Sequence, residues 1–324
     1  MRKVGLVFAL FALSAGAPFA RAADQDFNGR WDITVHKPMA EIRFTTTKAW
    51  WLEVAGAGTP EIKLKFVGSP DGSLDDISGA KIENGVLHYT WVSRSRRDTQ
   101  RMQLDYQLKY VNGKLEGSLS GLPESFTFTG VRAPEINEHD DGSWVRGKPI
   151  VLFNGKDLSG WTGVNSPKSE GWTVEDGMLK GTGHADDLIT AAKYWNFELH
   201  AEYKLGARSN SGIGLRGRYE LQIASDYGAP PGMHGTGALY TRILPRINAS
   251  KKPDEWQTYD IRLVGREVTT TLNGEKLYER GVIEGLTGIA FDPNEGEPGP
   301  IELQGDHGAV EFRNLILTPL TKSK

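Results

Sequence analysis

Arg216, Arg218, Glu220 and Gln222 follow one another at two-residue spacing, and Asp226 closes the run. Successive side chains of an extended strand point to opposite faces, so a strand here puts these polar groups on one side. Ile213, Leu215, Tyr219, Leu221 and Ile223 fall on the other. Two guanidiniums, a carboxylate and a carboxamide in line suit a groove for a polar, hydroxyl-rich ligand, with arginine holding Glu220 ionised and oriented. The competing reading is a structural ion pair across one sheet face. Further candidates lie elsewhere in the sequence: Asn210, Tyr240, Gln304, and His307 between Asp306 and Gly308. His307 in a tight turn is read equally as a catalytic or a loop-capping imidazole. His234 sits on the Gly/Pro-rich segment 230–235, where a plain turn is the favoured reading.

No metal site is expected. Asp292, Asn294, Glu295 and Glu297 form an oxygen-rich loop that could take calcium, but without the spacing of a known calcium loop, so surface acidity is preferred. His139, Asp140 and Asp141 read as exposed linker charge. There is no His-Glu-x-x-His, phosphate loop or nucleophile elbow, and no organic cofactor is expected. Trp161, Trp172 and Trp256 could stack on a ligand, although packing is the commoner fate of tryptophan.

The elements that must position these residues are strands. Residues 61–66 alternate apolar and basic types, and Met102, Leu104, Tyr106, Leu108 and Tyr110 repeat at two-residue spacing. Asn84-Gly85, Asn112-Gly113, Asp176-Gly177 and Asn273-Gly274 stand between such runs, a strong hairpin signal. The chain is therefore expected to be all-β. An N-terminal antiparallel barrel or sandwich (23–132) is followed by a polar linker (133–148) and a two-sheet sandwich (149–320). Arg94, Arg96, Arg97 and Arg101 read as a solvated loop. Residues 1–22 read as an export signal: Arg2 and Lys3, an apolar run from Val4 to Leu13, and a small-residue cleavage site near Ala22/Ala23. The protein is expected in the periplasm or outside the cell, with no membrane span. It has no cysteine, and loss of Arg2, Lys3 and Arg21 takes the net charge from −3 to −6, which argues against nucleic acid as a partner. Oligomeric state is not legible.

Several segments, in order, resemble one family: residues 152–161, 210–216, 219–222, 237–240, 256–261, 273–274, 300–304, 307–308 and 312–314. As a set they are similar to the 3-keto-disaccharide hydrolase domain, which has a concanavalin A-like jelly-roll fold, over about residues 149–320. The resemblance implies cleavage of glycosides whose sugar carries a ketone at C3, with a carbohydrate as the partner. A lectin-like binding protein and a conventional endoglycosidase are the alternatives. Glucanases of this fold carry two carboxylates on one strand, and Glu220, Gln222 and Asp226 stand at the corresponding spacing. Gln222 cannot ionise, which disfavours a covalent intermediate. A C3 ketone acidifies the C2 hydrogen, so elimination needs one base, one acid for the leaving oxygen and donors for the enolate. Glu220 or His307 is the expected base. Arg216 together with Gln222 or Gln304 is expected to stabilise the enolate, and Tyr240 is the expected acid. Arg218, Asp226, Asn210 and His234 are expected to contact substrate.

Overall fold

A computed structural model describes residues 24–36, 49–70, 72–93, 102–122, 125–166 and 168–323. Residues 1–22, read as an export signal, and the arginines 94–101 lie outside the described residues. The hairpin signals fold as their chemistry demands. At the pairs 84–85, 112–113, 176–177 and 273–274 both residues take positive φ, for example Asn112 at 49° with Gly113 at 83°, and Asn273 at 52° with Gly274 at 86°. Two left-handed residues give the turn whose twist matches the flanking strands.

The N-terminal unit is a nine-stranded antiparallel sheet: β1 (Gly29–Val35), β2 (Ala49–Ala55), β3 (Lys63–Val67), β4 (Asp75–Ile77), β5 (Lys81–Glu83), β6 (Val86–Val92), β7 (Gln103–Val111), β8 (Lys114–Ser120) and β9 (Phe126–Arg132). The order is β4-β3-β2-β1-β9-β8-β7-β6-β5. The sheet curls on itself, and Trp91 Nε1 of β6 donates to Asp75 Oδ2 of β4 at 2.8 Å. Inside, Trp50, Phe66, Tyr106 and Phe128 meet edge-to-face or tilted.

The remaining strands are β10 (Trp144–Arg146), β11 (Ile150–Val151), β12 (Trp161–Gly163), β13 (Trp172–Glu175), β14 (Met178–Thr182), β15 (Leu188–Thr190), β16 (Phe197–Leu205), β17 (Asn210–Leu215), β18 (Tyr219–Ala224), β19 (Gln257–Val264), β20 (Glu267–Leu272), β21 (Glu275–Val282), β22 (Glu302–Leu303) and β23 (Ala309–Lys322). They form a jelly-roll sandwich. One sheet runs β13-β14-β23-β16-β19-β20-β21 with β10 and β11 on β23; the other runs β12-β15-β22-β17-β18. In β16, Phe197, Leu199, Ala201, Tyr203 and Leu205 are buried and the residues between them are not, the pattern of a strand with one dry face.

Residues 133–148, expected to be a linker, are pinned to the sandwich. Arg262 grips Asp140 with two bonds of 2.7 and 2.8 Å, and His139 Nδ1 lies 2.9 Å from Glu267 Oε1. The charges read as solvated linker therefore anchor it. The first half of strand β2 is dry on both faces: Trp50 belongs to the barrel core, while Ala49 and Trp51 belong to the core of the sandwich. The barrel wall is thus docked on the jelly roll.

Candidate active site

The register of the five-stranded sheet assembles the site. Glu302 of β22 pairs with Gly214 of β17, and Gly214 pairs with Glu220 of β18. Beyond β18, the Tyr240 N–H donates to the Glu220 carbonyl at 2.9 Å, next to a bridge between Leu221 and Leu239. Glu302, Gly214, Glu220 and Tyr240 therefore form one line across the sheet. Their neighbours Leu303, Ile213, Leu221 and Leu239 point the other way, into the core. A second line runs two residues along. The Gln304 N–H donates to the Gly212 carbonyl at 3.0 Å, and Gly212 pairs with Gln222. Asp187, just before β15, accepts the Gly305 N–H at 2.8 Å and flanks this line.

The two glycines are spatial necessities. A methyl at Gly214 would stand 2.5 Å from Glu302 Oε2, and one at Gly212 would stand 3.0 Å from Glu220 Oε1. The carboxyls lean over β17 from both sides into the room the missing side chains leave.

Burial sets their ionisation. Glu220 is 4% exposed, and desolvation, opposed by His307 and helped by Asp187 and Asp306, pushes its carboxyl up to about 8. Burial, Asp306 and Asp186 raise Asp187 to about 7, against the Gly305 N–H. Glu302 is held far above the usual carboxylate range by burial and by Asp187 and Glu220. His307 is raised too, but for it this favours the charged form: its bond to Asp306 favours the cation more than burial opposes it. Buried carboxyls that favour their neutral forms thus lie within electrostatic reach of a half-exposed imidazole that favours its cation. Glu302 Oε2, Gln304 Oε1 and Asn210 Oδ1 are buried and, among the described residues, have no hydrogen-bond partner. Unmet acceptors of this kind suit a ligand rich in hydroxyl donors.

Of the residues singled out in the sequence, Glu220, Gln222, Gln304 and Tyr240 share this face. His307 is within electrostatic reach of Glu220. Gly308 follows it so closely over β17 that a methyl there would stand 2.7 Å from the Asn210 nitrogen. His234 sets its ring edge-on to Tyr240, centroids 5.0 Å apart. Gln222 is engaged locally, its Nε2 donating to the His234 carbonyl at 3.1 Å. Asp226 Oδ2 accepts the Thr236 N–H at 2.8 Å and ties down the same loop.

Arg216 and Arg218 correct the expected row. The strand breaks between Leu215 and Tyr219, where Arg216 (φ 58°) and Gly217 (φ 63°) turn the chain. Arg216 stacks on Trp195, 3.8 Å from the ring centroid, and donates to the carbonyls of Trp195 and Gly265 and to Asn196. Arg218 donates to the Asp292 and Glu297 carbonyls and pairs with Asp292 Oδ2 at 2.6 Å. Both are fully buried, so neither guanidinium is presented to a ligand. The oxygen-rich loop is corrected with them. Glu295 is fully buried, not surface acid, and both its oxygens take bonds from Arg266 at 2.9 Å. Asp187 and Glu302 went unread because only the cross-sheet register brings them to Glu220. Trp161 and Trp172 are packed in the core, and Trp256 lies under Arg313, outside this face.

Fold and face together define a concanavalin A-like jelly roll with an ionisable row on its five-stranded sheet. The family model of the 3-keto-alpha-glucoside-1,2-lyase-like domain matches residues 148–318, and the chain belongs to that family. A 3-keto-disaccharide hydrolase of Bacteroides thetaiotaomicron is 42% identical over 74 residues, 20% of this chain and 26% of the relative. The chain thus matches about a quarter of that curated relative's length. Two solved candidate glycosyl hydrolases of Parabacteroides distasonis are also similar. One is 29% identical with a TM-score of 0.46, covering 57% of this chain and 91% of the other. The second is 26% identical with a TM-score of 0.47, covering 53% and 94%.

Proposed function

We propose that the jelly-roll domain cleaves 3-keto-glycosides by elimination, with Glu220 as the base. The observation that carries this reading is the line Glu302–Gly214–Glu220–Tyr240, with a Glu220 carboxyl raised to about 8 within electrostatic reach of His307. A carboxylate of raised pKa is a stronger base than an ordinary one, and removal of a hydrogen next to a ketone requires that strength. Glu220 takes the C2 proton, and the C–H electron pair forms the C2=C3 enolate. His307 and the Gln304 amide donate to the enolate oxygen. The enolate then re-forms the ketone, a C1=C2 bond appears, and the C1–O pair leaves on the aglycone oxygen. Tyr240 protonates that oxygen. Water added across C1=C2 completes hydrolysis; without it the reaction stops as a lyase. The family description and the curated relative's name correspond to these two outcomes.

No covalent glycosyl-enzyme is needed, which accords with a neutral Gln222 where a glucanase-type site has an aspartate. We also propose that the protein is exported, on the strength of the charged and apolar residues before Ala23. Among the described residues no helix is long and apolar enough to cross a membrane.

The test is incubation with a 3-keto-disaccharide in deuterated water. Release of the free sugar with deuterium at C2, or of its enone, which has lost the C2 hydrogen, and loss of turnover in Glu220→Gln are expected. Cleavage of unoxidised glycosides through a trapped ester on Glu220 would overturn the reading, as would binding of the 3-keto sugar without turnover.

A further inference from the structure

The N-terminal barrel reaches the rim of this face. Ser73 Oγ, on the segment before β4, lies 3.2 Å from His234 Nε2, and the Leu74 N–H donates to Thr241 Oγ1 at 3.1 Å. These two bonds bracket Tyr240, whose ring packs against His234. The approach is tight. A methyl on Gly288 would stand 2.7 Å from the Gly72 carbonyl oxygen, and Gly285 lies against the Trp51 indole. Trp51 in turn carries the Arg242 guanidinium 4.3 Å from its ring centroid. The barrel therefore grips two segments that adjoin the Glu220 strand in space. One is the loop 233–242, and the other is 285–288, from which Thr287 Oγ1 accepts the Glu220 N–H at 2.9 Å.

We propose that the segment 72–74 of the barrel is a specificity-determining wall of the site, standing on the leaving-group side and setting the size of aglycone accepted. This rests on the elimination reading, in which Tyr240 protonates the leaving oxygen, so the aglycone departs past Tyr240. In order outward from Glu220 come Tyr240, His234 and Ser73. His234 is exposed, and Ser73 is partly so. The serine and imidazole present hydroxyl and ring nitrogen groups, the chemistry that recognises a second sugar ring. A small alkyl aglycone ends before this wall. A sugar aglycone meets it.

The experiment compares full-length wild type, Ser73→Ala, Ser73→Trp and Ser73→Thr on a methyl 3-keto-glucoside and on a 3-keto-disaccharide. KM and kcat are measured with turnover, and affinity by calorimetry without it. Ser73→Trp is expected to raise KM and Kd for the disaccharide on the order of tenfold. The methyl glycoside should keep its kcat and KM. Ser73→Ala should weaken disaccharide binding less, and Ser73→Thr should restore it. Equal changes for both substrates, or no change for either, would overturn the proposal. If wild type turns over neither substrate the elimination reading fails by itself, and the calorimetric ratio of the two ligands still decides the wall. Absence of a difference there overturns it too.

Discussion

At Glu220 three electrostatic influences compete, and burial wins. The loss of water, with Asp187 and Asp306 nearby, outweighs the His307 cation, so the carboxyl titrates at about 8. A base acts only when ionised, so kcat/KM should rise with pH through about 8. Because His307 lowers the Glu220 pKa, His307→Ala should move this limb to higher pH as well as slow the reaction. A limb unmoved in that variant would remove His307 from the site. Glu220→Gln keeps the shape and its Thr287 bond, which is made by the backbone, but cannot accept a proton. A fall in kcat of about 10²–10⁴ is expected, with KM little changed. Tyr240→Phe should slow cleavage of poor leaving groups more than of nitrophenyl ones, whose oxygen leaves without a proton; equal slowing of both would dismiss Tyr240 as the acid.

Among the elements, β17 shows what a sequence can and cannot disclose. Its alternation and that of β18 are local, and so are the Asn-Gly turns, since positive φ at two successive residues selects those residue types. Hence the hairpins and the all-β class were legible. The polar row was only half legible. A period of two assumes an unbroken strand, and the turn at Arg216 and Gly217 sends both guanidiniums into the loops behind the sheet. Asp187 and Glu302 were not legible at all. They meet Glu220 through β15–β22–β17 pairing between segments about a hundred residues apart, and no short spacing encodes that register. The same register makes Gly214 a sharp test. Gly214→Ala drives a methyl into the Glu302 carboxyl, which is packed and cannot swing to water. A destabilisation of about 1–3 kcal/mol is expected. Activity should fall further than the folded fraction does. Full activity with unchanged melting would show that the carboxyls do not depend on the glycine gap.

Across the whole molecule, barrel and jelly roll are joined by a pair of acids. Asp32 of β1 is 1% exposed and hydrogen-bonds Glu295, whose oxygens are also held by Arg266 and by the Tyr219 hydroxyl. Burial, then the Glu295 charge, raises Asp32 well above the carboxylate range, while Arg266 and Arg218 oppose the shift more weakly. The pair therefore keeps one proton in the folded protein that the unfolded chain gives up near the ordinary aspartate pKa. Between those two points the folded state binds more protons than the unfolded state, so stability falls as pH rises. Glu220 and Asp187 act in the same direction, from their ordinary values up to about 8 and about 7. Thermal unfolding measured from about pH 5 to pH 9 should show the melting temperature declining toward the alkaline end. Asp32→Asn retains a donor to Glu295 and removes the proton that is lost, so its decline should be shallower. Glu220→Gln should flatten the curve as well, and the two effects should add, because the groups lie in separate clusters. An Asp32→Asn curve parallel to wild type would show that the interface proton does not exist.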